Sequence, residues 1–166
     1  MNITAKNSVP QLDKAVQGFA KGAAGQYLMG VDRSKATFAN MLQNKLFLVH
    51  AIRQGIPYSM FVLIKEQSPF DLSEWAVYLD LSEKSLQRYK ADGRAFKPLQ
   101  SEKILELAEV IQLGLEVFGD MESLKRWLDT PVFALGNHKP ADLLKDSFGM
   151  ELVVGELTRI EHGIFS

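Results

Sequence analysis

Residues 70–90 read FDLSEWAVYLDLSEKSLQRYK, and they contain the start signals of two helices. Asp71 is a residue type that caps helix N-termini, and Glu74 follows it at the spacing of a capping box. Phe70 precedes the cap, so its ring can pack on Trp75 as a hydrophobic staple. This pattern predicts that the first helix begins directly after Asp71.

A second helix is predicted to begin after Ser82, which Leu81 and Leu86 flank at the same staple spacing. Because Leu79 lies only three residues before this cap, the turn is tight and the two helices form an angled pair. Asp80 takes the turn position where glycine is usual, and aspartate tolerates the left-handed conformation better than most residues. The apolar positions that such a pair requires are all filled, by Trp75, Ala76, Leu79, Leu81, Leu86 and Tyr89.

This register is that of the DNA-binding helix-turn-helix, whose second helix presents its polar side to base edges and phosphates. The outward positions of the second helix and its cap hold Ser82, Glu83, Lys84, Ser85, Gln87, Arg88 and Lys90. Residues 82–103 contain six lysines and arginines against three aspartates and glutamates, which favours a polyanionic partner. The alternative for this stretch is an ordinary helical hairpin with a solvated polar face.

The composition is that of a globular chain, with 46% hydrophobic and 23% charged residues among 166. Cysteine is absent, which excludes thiolate nucleophiles, disulfide frameworks and cysteine-ligated zinc. Residues 1–103 carry a net charge of +5 and residues 104–166 a net charge of −6. This asymmetry predicts that the two halves meet different partners. No signal-like segment and no run of eighteen apolar residues is present, so we expect a cytoplasmic protein without a membrane span.

The first 43 residues have little apolar periodicity and carry four scattered glycines. We interpret residues 1–43 as a loosely ordered arm. From Lys45 to Gly55 a short helix is predicted, with Leu46, Val49, His50 and Ile52 on its buried side. His50 is interpreted as a structural histidine, because no second ligand stands at metal-binding spacing.

A long helix is predicted from a cap at Ser101 to Gly119, and it is apolar around most of its circumference. Further helices are predicted over residues 121–128, from Pro140 to Gly149, and up to Gly163. The last of them carries Leu152, Val153, Leu157 and Ile160 as its apolar positions. The fold class is therefore all-α.

Catalytic residues are not indicated by the sequence. The three histidines, His50, His138 and His162, lie in no serine–base–carboxylate pattern, and no metal-ligand set is recognisable. Asp142 and Asp146 are one helical turn apart, which is more typical of a solvated face than of an acid–base pair. We expect a binding protein rather than an enzyme.

The C-terminal half resembles the Xre/MbcA/ParS antitoxins of type II toxin–antitoxin systems. The matching residues are Trp127-Leu128, Pro131, Ala134-Leu135-Gly136, Pro140, Asp142-Leu143-Leu144, Gly149, and Leu157 with Arg159-Ile160-Glu161-His162-Gly163. The helix-turn-helix and the link Gly93-Arg94, Leu99 and Ser101-Glu102 also look like the Xre-type half of that family. The resemblance covers roughly residues 45–166, and Lys139 departs from it because the family usually has threonine there.

The resemblance implies an Xre-like helix-turn-helix half at 44–98, followed at 99–166 by a linking helix and a small helical toxin-binding domain. It implies a homodimer that neutralises a RES-type toxin and represses its own operon by binding operator DNA. Such toxins consume NAD or transfer ADP-ribose, so the chain itself needs no cofactor. The toxin contacts would lie at the C-terminal end, at Arg159, Glu161, His162, Ile164, Phe165 and Ser166.

A different function class stays open from the residues alone. The chain could be a stand-alone dimeric helix-turn-helix transcriptional regulator whose C-terminal domain dimerises or senses a ligand. The Arg159–Gly163 string and the apolar residues after it favour the antitoxin interpretation.

Overall fold

A computed structural model describes residues 3–28 and 30–163, and this part of the chain is all-α, which confirms the predicted fold class. Its α-helices are α1 (Ile3–Ala20), α2 (Phe38–Gln43), α3 (Lys45–Gln54), α4 (Tyr58–Glu66), α5 (Leu72–Tyr78), α6 (Glu83–Asp92), α7 (Pro98–Phe118), α8 (Met121–Leu128), α9 (Pro140–Leu143) and α10 (Ser147–Glu161). Short 3₁₀ helices lie at Ala23–Tyr27, Arg33–Lys35 and Phe133–Leu135.

The chain divides into two compact units, Met1–Leu105 and Glu106–Ser166. The boundary falls inside α7, whereas the sequence suggested a boundary between residues 98 and 99, at the start of this helix. A continuous helix carries the chain through the boundary, so no loop marks it.

The N-terminal segment differs from the expected loosely ordered arm. Its helix α1 buries Leu12, Val16 and Phe19, which follow one another at helical spacing, and packs against α4. The Asp13 carboxylate accepts a hydrogen bond from the backbone N–H of Phe38 at 2.8 Å, which ties α1 to the start of α2. Gly25 is buried, and a Cβ there would overlap the Ala20 carbonyl oxygen, so this glycine permits close packing.

Helix α3 forms where predicted and ends at Gly55, but it turns a different face inward. Phe47, Leu48 and Ala51 are buried, while Leu46 and Val49 remain exposed. The predicted face was wrong because α3 packs on α2 and on the Ala23–Tyr27 helix, which the sequence left unassigned. His50 is half-buried, and its ring stacks on Tyr27 with 3.4 Å between ring centroids.

An aromatic cluster forms the core beneath α5 and α6. Phe61 from α4 makes edge contacts with Trp75 and Phe96, at centroid distances of 5.3 Å and 5.1 Å. Phe70 packs against Tyr78 at 5.0 Å, also edge to face. Edge-to-face pairs of this kind stabilise a core beyond the burial of their area. The cluster therefore holds the helix pair in one arrangement on α4.

Ser101 does not cap the long helix as expected, because α7 begins three residues earlier, at Pro98. Its hydroxyl is fully buried, where it accepts a hydrogen bond from the Ile56 N–H at 2.9 Å and donates to the Phe96 carbonyl at 3.3 Å. The serine thus satisfies backbone groups that would otherwise be buried without partners.

In the C-terminal unit, one predicted helix boundary was wrong. Gly149 was expected to end the helix that begins at Pro140, but it lies in the first turn of the next helix, α10. Asp146 caps this helix, its carboxylate accepting from the Gly149 N–H at 2.7 Å. A Cβ at Gly149 would overlap the Leu143 carbonyl oxygen, so glycine allows α10 to cross closely over the end of α9.

Candidate nucleic-acid and protein-binding sites

Helix α5 begins with the predicted capping box. The Asp71 carboxylate accepts from the Glu74 N–H at 2.8 Å, and the Glu74 carboxylate accepts from the Asp71 N–H at 2.9 Å. Phe70 forms the predicted hydrophobic staple, with its ring packed edge to face on Trp75 at a centroid distance of 6.2 Å. Trp75 is fully buried and donates its indole N–H to the Ser68 hydroxyl at 2.8 Å.

The turn between α5 and α6 is a Schellman-type helix end. Asp80 adopts the left-handed conformation with φ of 52°. Its N–H donates to the Val77 carbonyl at 3.1 Å, and the Leu81 N–H donates to the Ala76 carbonyl at 3.0 Å. The carbonyls that end α5 are therefore satisfied although the turn contains no glycine.

Helix α6 begins at its predicted cap and turns its predicted face outward. The Ser82 hydroxyl accepts from the Ser85 N–H at 3.1 Å, and Leu86 is fully buried. Ser85 is half-buried, and the other predicted DNA-contacting residues are exposed: Ser82, Glu83, Lys84, Gln87, Arg88 and Lys90. The structure therefore brings these residues together on one helix and its cap.

Three of these side chains, Ser82, Glu83 and Ser85, form side-chain hydrogen bonds within the protein that the sequence did not reveal. The Ser73 hydroxyl donates to the Glu83 carboxylate at 2.6 Å and links α5 to α6. The hydroxyls of Ser82 and Ser85 are 2.9 Å apart. The longer side chains of Lys84, Gln87, Arg88 and Lys90 are thus better placed to reach a partner.

The end of α6 is anchored by aromatic contacts. Tyr89 stacks on Phe96 at a centroid distance of 4.4 Å, and the Arg94 guanidinium lies 5.6 Å from the Tyr89 ring centroid. Arg94 also pairs with Asp92 at 2.8 Å. Arg94, an exposed cation just after the end of α6, is consequently held by neighbours in sequence.

At the other end of the chain, Arg159 is engaged within α10. Its guanidinium donates to both carboxylate oxygens of Glu156, at 2.9 Å from Nε and 2.7 Å from Nη2. The Glu156 residue is buried, and the hydrogen bonds to this carboxylate raise the pKa of Arg159. The bidentate geometry fixes the direction of the arginine side chain.

The remaining predicted toxin contacts divide into two groups. Glu161 and His162 are exposed, and the His162 Nδ1 lies 2.7 Å from the Thr158 carbonyl oxygen. Ile164, Phe165 and Ser166 lie outside the described residues.

Large exposed apolar side chains in the C-terminal unit were not foreseen. Phe133, Phe148 and Leu152 are 88%, 81% and 56% exposed. Of the four apolar positions predicted for the last helix, Val153 and Leu157 are buried, Ile160 is half-buried and Leu152 is exposed. Residue type alone could not separate Leu152 from Val153, because adjacent residues on a helix point about 100° apart.

Within residues 3–28 and 30–163, no group of three histidine, aspartate or glutamate residues is arranged to hold a metal ion. None of the described helices is both long enough and apolar enough to cross a membrane.

Two protein-family models match the chain in succession. The model of the antitoxin Xre-like helix-turn-helix domain matches residues 47–109, and that of the antitoxin Xre/MbcA/ParS C-terminal toxin-binding domain matches residues 113–163. These segments contain α5 and α6 in the first case and α8 to α10 in the second.

Individual relatives agree with these matches. An antitoxin Xre of Yersinia enterocolitica is 28% identical over 120 residues, covering 72% of this chain and 81% of the relative. An antitoxin Xre of Photorhabdus laumondii is 25% identical over 116 residues, covering 69% and 78%.

Among solved structures, the crystal structure of the M. tuberculosis MbcT-MbcA toxin-antitoxin complex contains a similar chain. That chain is 25% identical, with a TM-score of 0.47 over 72% of this chain and 94% of its own length. The two family models, which follow one another in the family's order, and the two curated relatives show that this chain belongs to the Xre/MbcA/ParS antitoxins of toxin–antitoxin systems.

Proposed function

We propose that this antitoxin inhibits a RES-type toxin through its C-terminal end and represses its own operon through α6. The observation that carries the proposal is the charge and surface of the two units. The Met1–Leu105 unit has a net charge of +5 and exposes a polar, cationic face on α6. The Glu106–Ser166 unit has a net charge of −6. Each unit is suited to a partner of the opposite charge.

Operator binding is proposed for the exposed face of α6 and its cap, at Ser82, Glu83, Lys84, Ser85, Gln87, Arg88 and Lys90. Gln87 and Arg88 are residue types that make paired hydrogen bonds to base edges in the major groove. Lys84 and Lys90 are suited to phosphates. A homodimer would place two copies of α6 in successive major grooves, about 34 Å apart.

Toxin inhibition is proposed for the end of α10 and the residues that follow it, at Arg159, Glu161, His162, Ile164, Phe165 and Ser166. A toxin that consumes NAD or transfers ADP-ribose must bind a phosphate-rich dinucleotide, so its pocket must be cationic. The acidic C-terminal unit complements such a pocket. Because Arg159 is bonded to Glu156, we expect Glu161 and His162 to be the more accessible of the charged contacts.

Co-expression with the toxin encoded by the adjacent gene tests this proposal. Cells expressing the toxin alone are expected to stop growing, and this chain is expected to restore growth and to co-purify with the toxin. Binding that persists unchanged from low to high salt would contradict the proposed electrostatic complementarity. Absence of a physical complex would contradict the toxin-binding role and favour a stand-alone transcriptional regulator.

A further inference from the structure

We propose that the toxin also docks along the side of α10, on an apolar stripe formed by Phe148, Leu152 and Gly155. The inference rests on the proposed function, because the occupant is the same toxin whose cleft would receive the end of the chain. It adds a second contact region, roughly two to four helical turns before α10 ends at Glu161. We call these three residues the docking stripe.

The sequence of α10 divides the helix lengthwise into a buried and an exposed side. The buried residues are Gly149, Met150, Val153, Glu156 and Leu157. At about 100° per residue they fall on one half of the helix, and the docking stripe lies on the opposite half. Phe148 and Leu152 are one turn apart on this exposed side, with 81% and 56% of their surface accessible.

The composition of the stripe favours a protein partner. Phe148 and Leu152 leave most of their apolar surface in water, and such surface is stabilised when a partner covers it. Gly155 is exposed, and a Cβ added there would meet nothing within 4 Å. A glycine in an exposed helix interior lowers helix stability, and here it leaves room for a second backbone to approach.

A further exposed apolar side chain lies on a neighbouring element of this unit. The 3₁₀ helix Phe133–Leu135 packs against α10 and leaves Phe133 88% exposed. Phe133, Phe148 and Leu152 are the large exposed hydrophobic residues in the described part of the Glu106–Ser166 unit. The apolar exposure of this unit is thus concentrated on α10 and on an element in contact with it.

The toxin is the occupant because the stripe continues into the proposed toxin contacts. Arg159 follows Gly155 by four residues and His162 follows Arg159 by three, so all of them share one face of the helix. Phe148 lies about 21 Å along the helix axis from His162, at 1.5 Å per residue. A protein that receives the chain end and lies along α10 would cover the stripe. Exposed Glu151 lies beside the stripe, one helical turn before Gly155, as a cationic rim on the toxin would require.

The first test replaces the two apolar side chains of the stripe in the full chain, as Phe148→Ser with Leu152→Ser. The matched control is Val77→Ser with Leu99→Ser, which removes two exposed apolar side chains from the other unit. Affinity for the purified toxin from the adjacent gene would be measured by calorimetry, and molar mass by light scattering. We expect the stripe variant to bind about 10- to 100-fold more weakly and the control to bind like the wild type.

A second variant separates docking from folding. Gly155→Gln removes no contact and improves helix propensity, so α10 should become more stable. Its side chain would nevertheless obstruct a backbone that approaches Gly155, and we expect toxin affinity to fall at least fivefold. A stabilised chain with weakened toxin binding cannot be explained by misfolding.

The possible outcomes distinguish the two proposals. Toxin affinity within twofold of the wild type in both stripe variants would overturn the docking stripe alone. Unchanged affinity with loss of the dimer mass would show that a second copy of this chain covers the stripe, and would overturn it too. If the wild type does not bind the toxin, the proposed function fails first and the docking stripe fails with it.

Discussion

Helices α6 and α10 expose different chemistry, although both pack one side against a core. Helix α6 buries Leu86 and stacks Tyr89 on Phe96, and apart from Ala91 its exposed positions are polar or charged. Helix α10 buries five residues and still leaves a phenylalanine and a leucine in solvent. A polar, cationic face suits phosphates and base edges, whereas exposed large apolar side chains mark a surface that a protein covers. The exposed surfaces of the two helices are therefore suited to partners of different chemical classes.

Deleting Ile164, Phe165 and Ser166 should have the largest effect on the α10 side of this comparison. We expect neutralisation of the toxin to be lost, because the apolar chain end would no longer enter the cleft. Toxin binding should persist with reduced affinity through the docking stripe, and operator binding should be unchanged. Growth under toxin expression, calorimetry and a DNA mobility-shift assay measure the three effects. A truncated chain that still protects growth would contradict insertion of the end.

Trp75→Ala should destabilise the aromatic core beneath α5 and α6. The side chain is fully buried between Phe61 and Phe70, so we expect the free energy of unfolding to fall by about 3–5 kcal/mol. Urea unfolding followed by circular dichroism measures this loss. Phe133→Ala is the control, because a ring that is 88% exposed should contribute less than about 0.5 kcal/mol. Equal effects of the two changes would contradict the described core.

Arg88→Ala should weaken operator binding about 5- to 100-fold and leave toxin neutralisation intact. Arg126→Ala is a matched control, since Arg126 is an exposed arginine on α8 in the other unit. Titrations of operator DNA at several salt concentrations measure the effect. If Arg88 contacts a phosphate rather than a base, the salt dependence should fall by about one charge. Damage to both activities in a folded variant would contradict the division between α6 and α10.

Ser82→Ala should have the smallest effect. Loss of the cap hydroxyl leaves the Ser85 N–H without its acceptor, and we expect the free energy of unfolding to fall by about 1 kcal/mol. Ser147→Ala is the control: it also lies at a helix start, but there Asp146 provides the cap. Thermal unfolding of both variants compares them. A loss of stability as large for Ser147→Ala would mean that the cap bond of α6 is not the cause.

The helix-turn-helix was predictable because its signals are local. Asp71 bonds to Glu74, and Ser82 bonds to Ser85, each across three residues of sequence. Asp80 closes its turn through backbone bonds within the same few residues. Side chains and backbone groups this close meet in almost any compact arrangement, so residue type and spacing suffice to identify the contacts.

The N-terminal segment and the buried face of α3 were not predictable in this way. Leu12 and Val16 are buried because α1 packs on α4, far along the chain. Phe47 is buried in place of Leu46 because the element containing Tyr27 folds back over α3. Hydrophobic spacing reports that a helix has an apolar side, but it does not identify the neighbour that covers it.

The amino-acid sequence thus specified the pair α5 and α6 with their caps, the left-handed turn at Asp80 and the opposite charges of the two halves. Interactions between residues remote in sequence determined the rest: the hydrogen bond from Ile56 to Ser101, the close crossing at Gly149, and the exposure of Phe148 and Leu152. The physical reason is the separation in sequence between the groups that interact. Capping bonds and net charge depend on neighbours in the chain, whereas burial depends on which surfaces meet after the helices have packed.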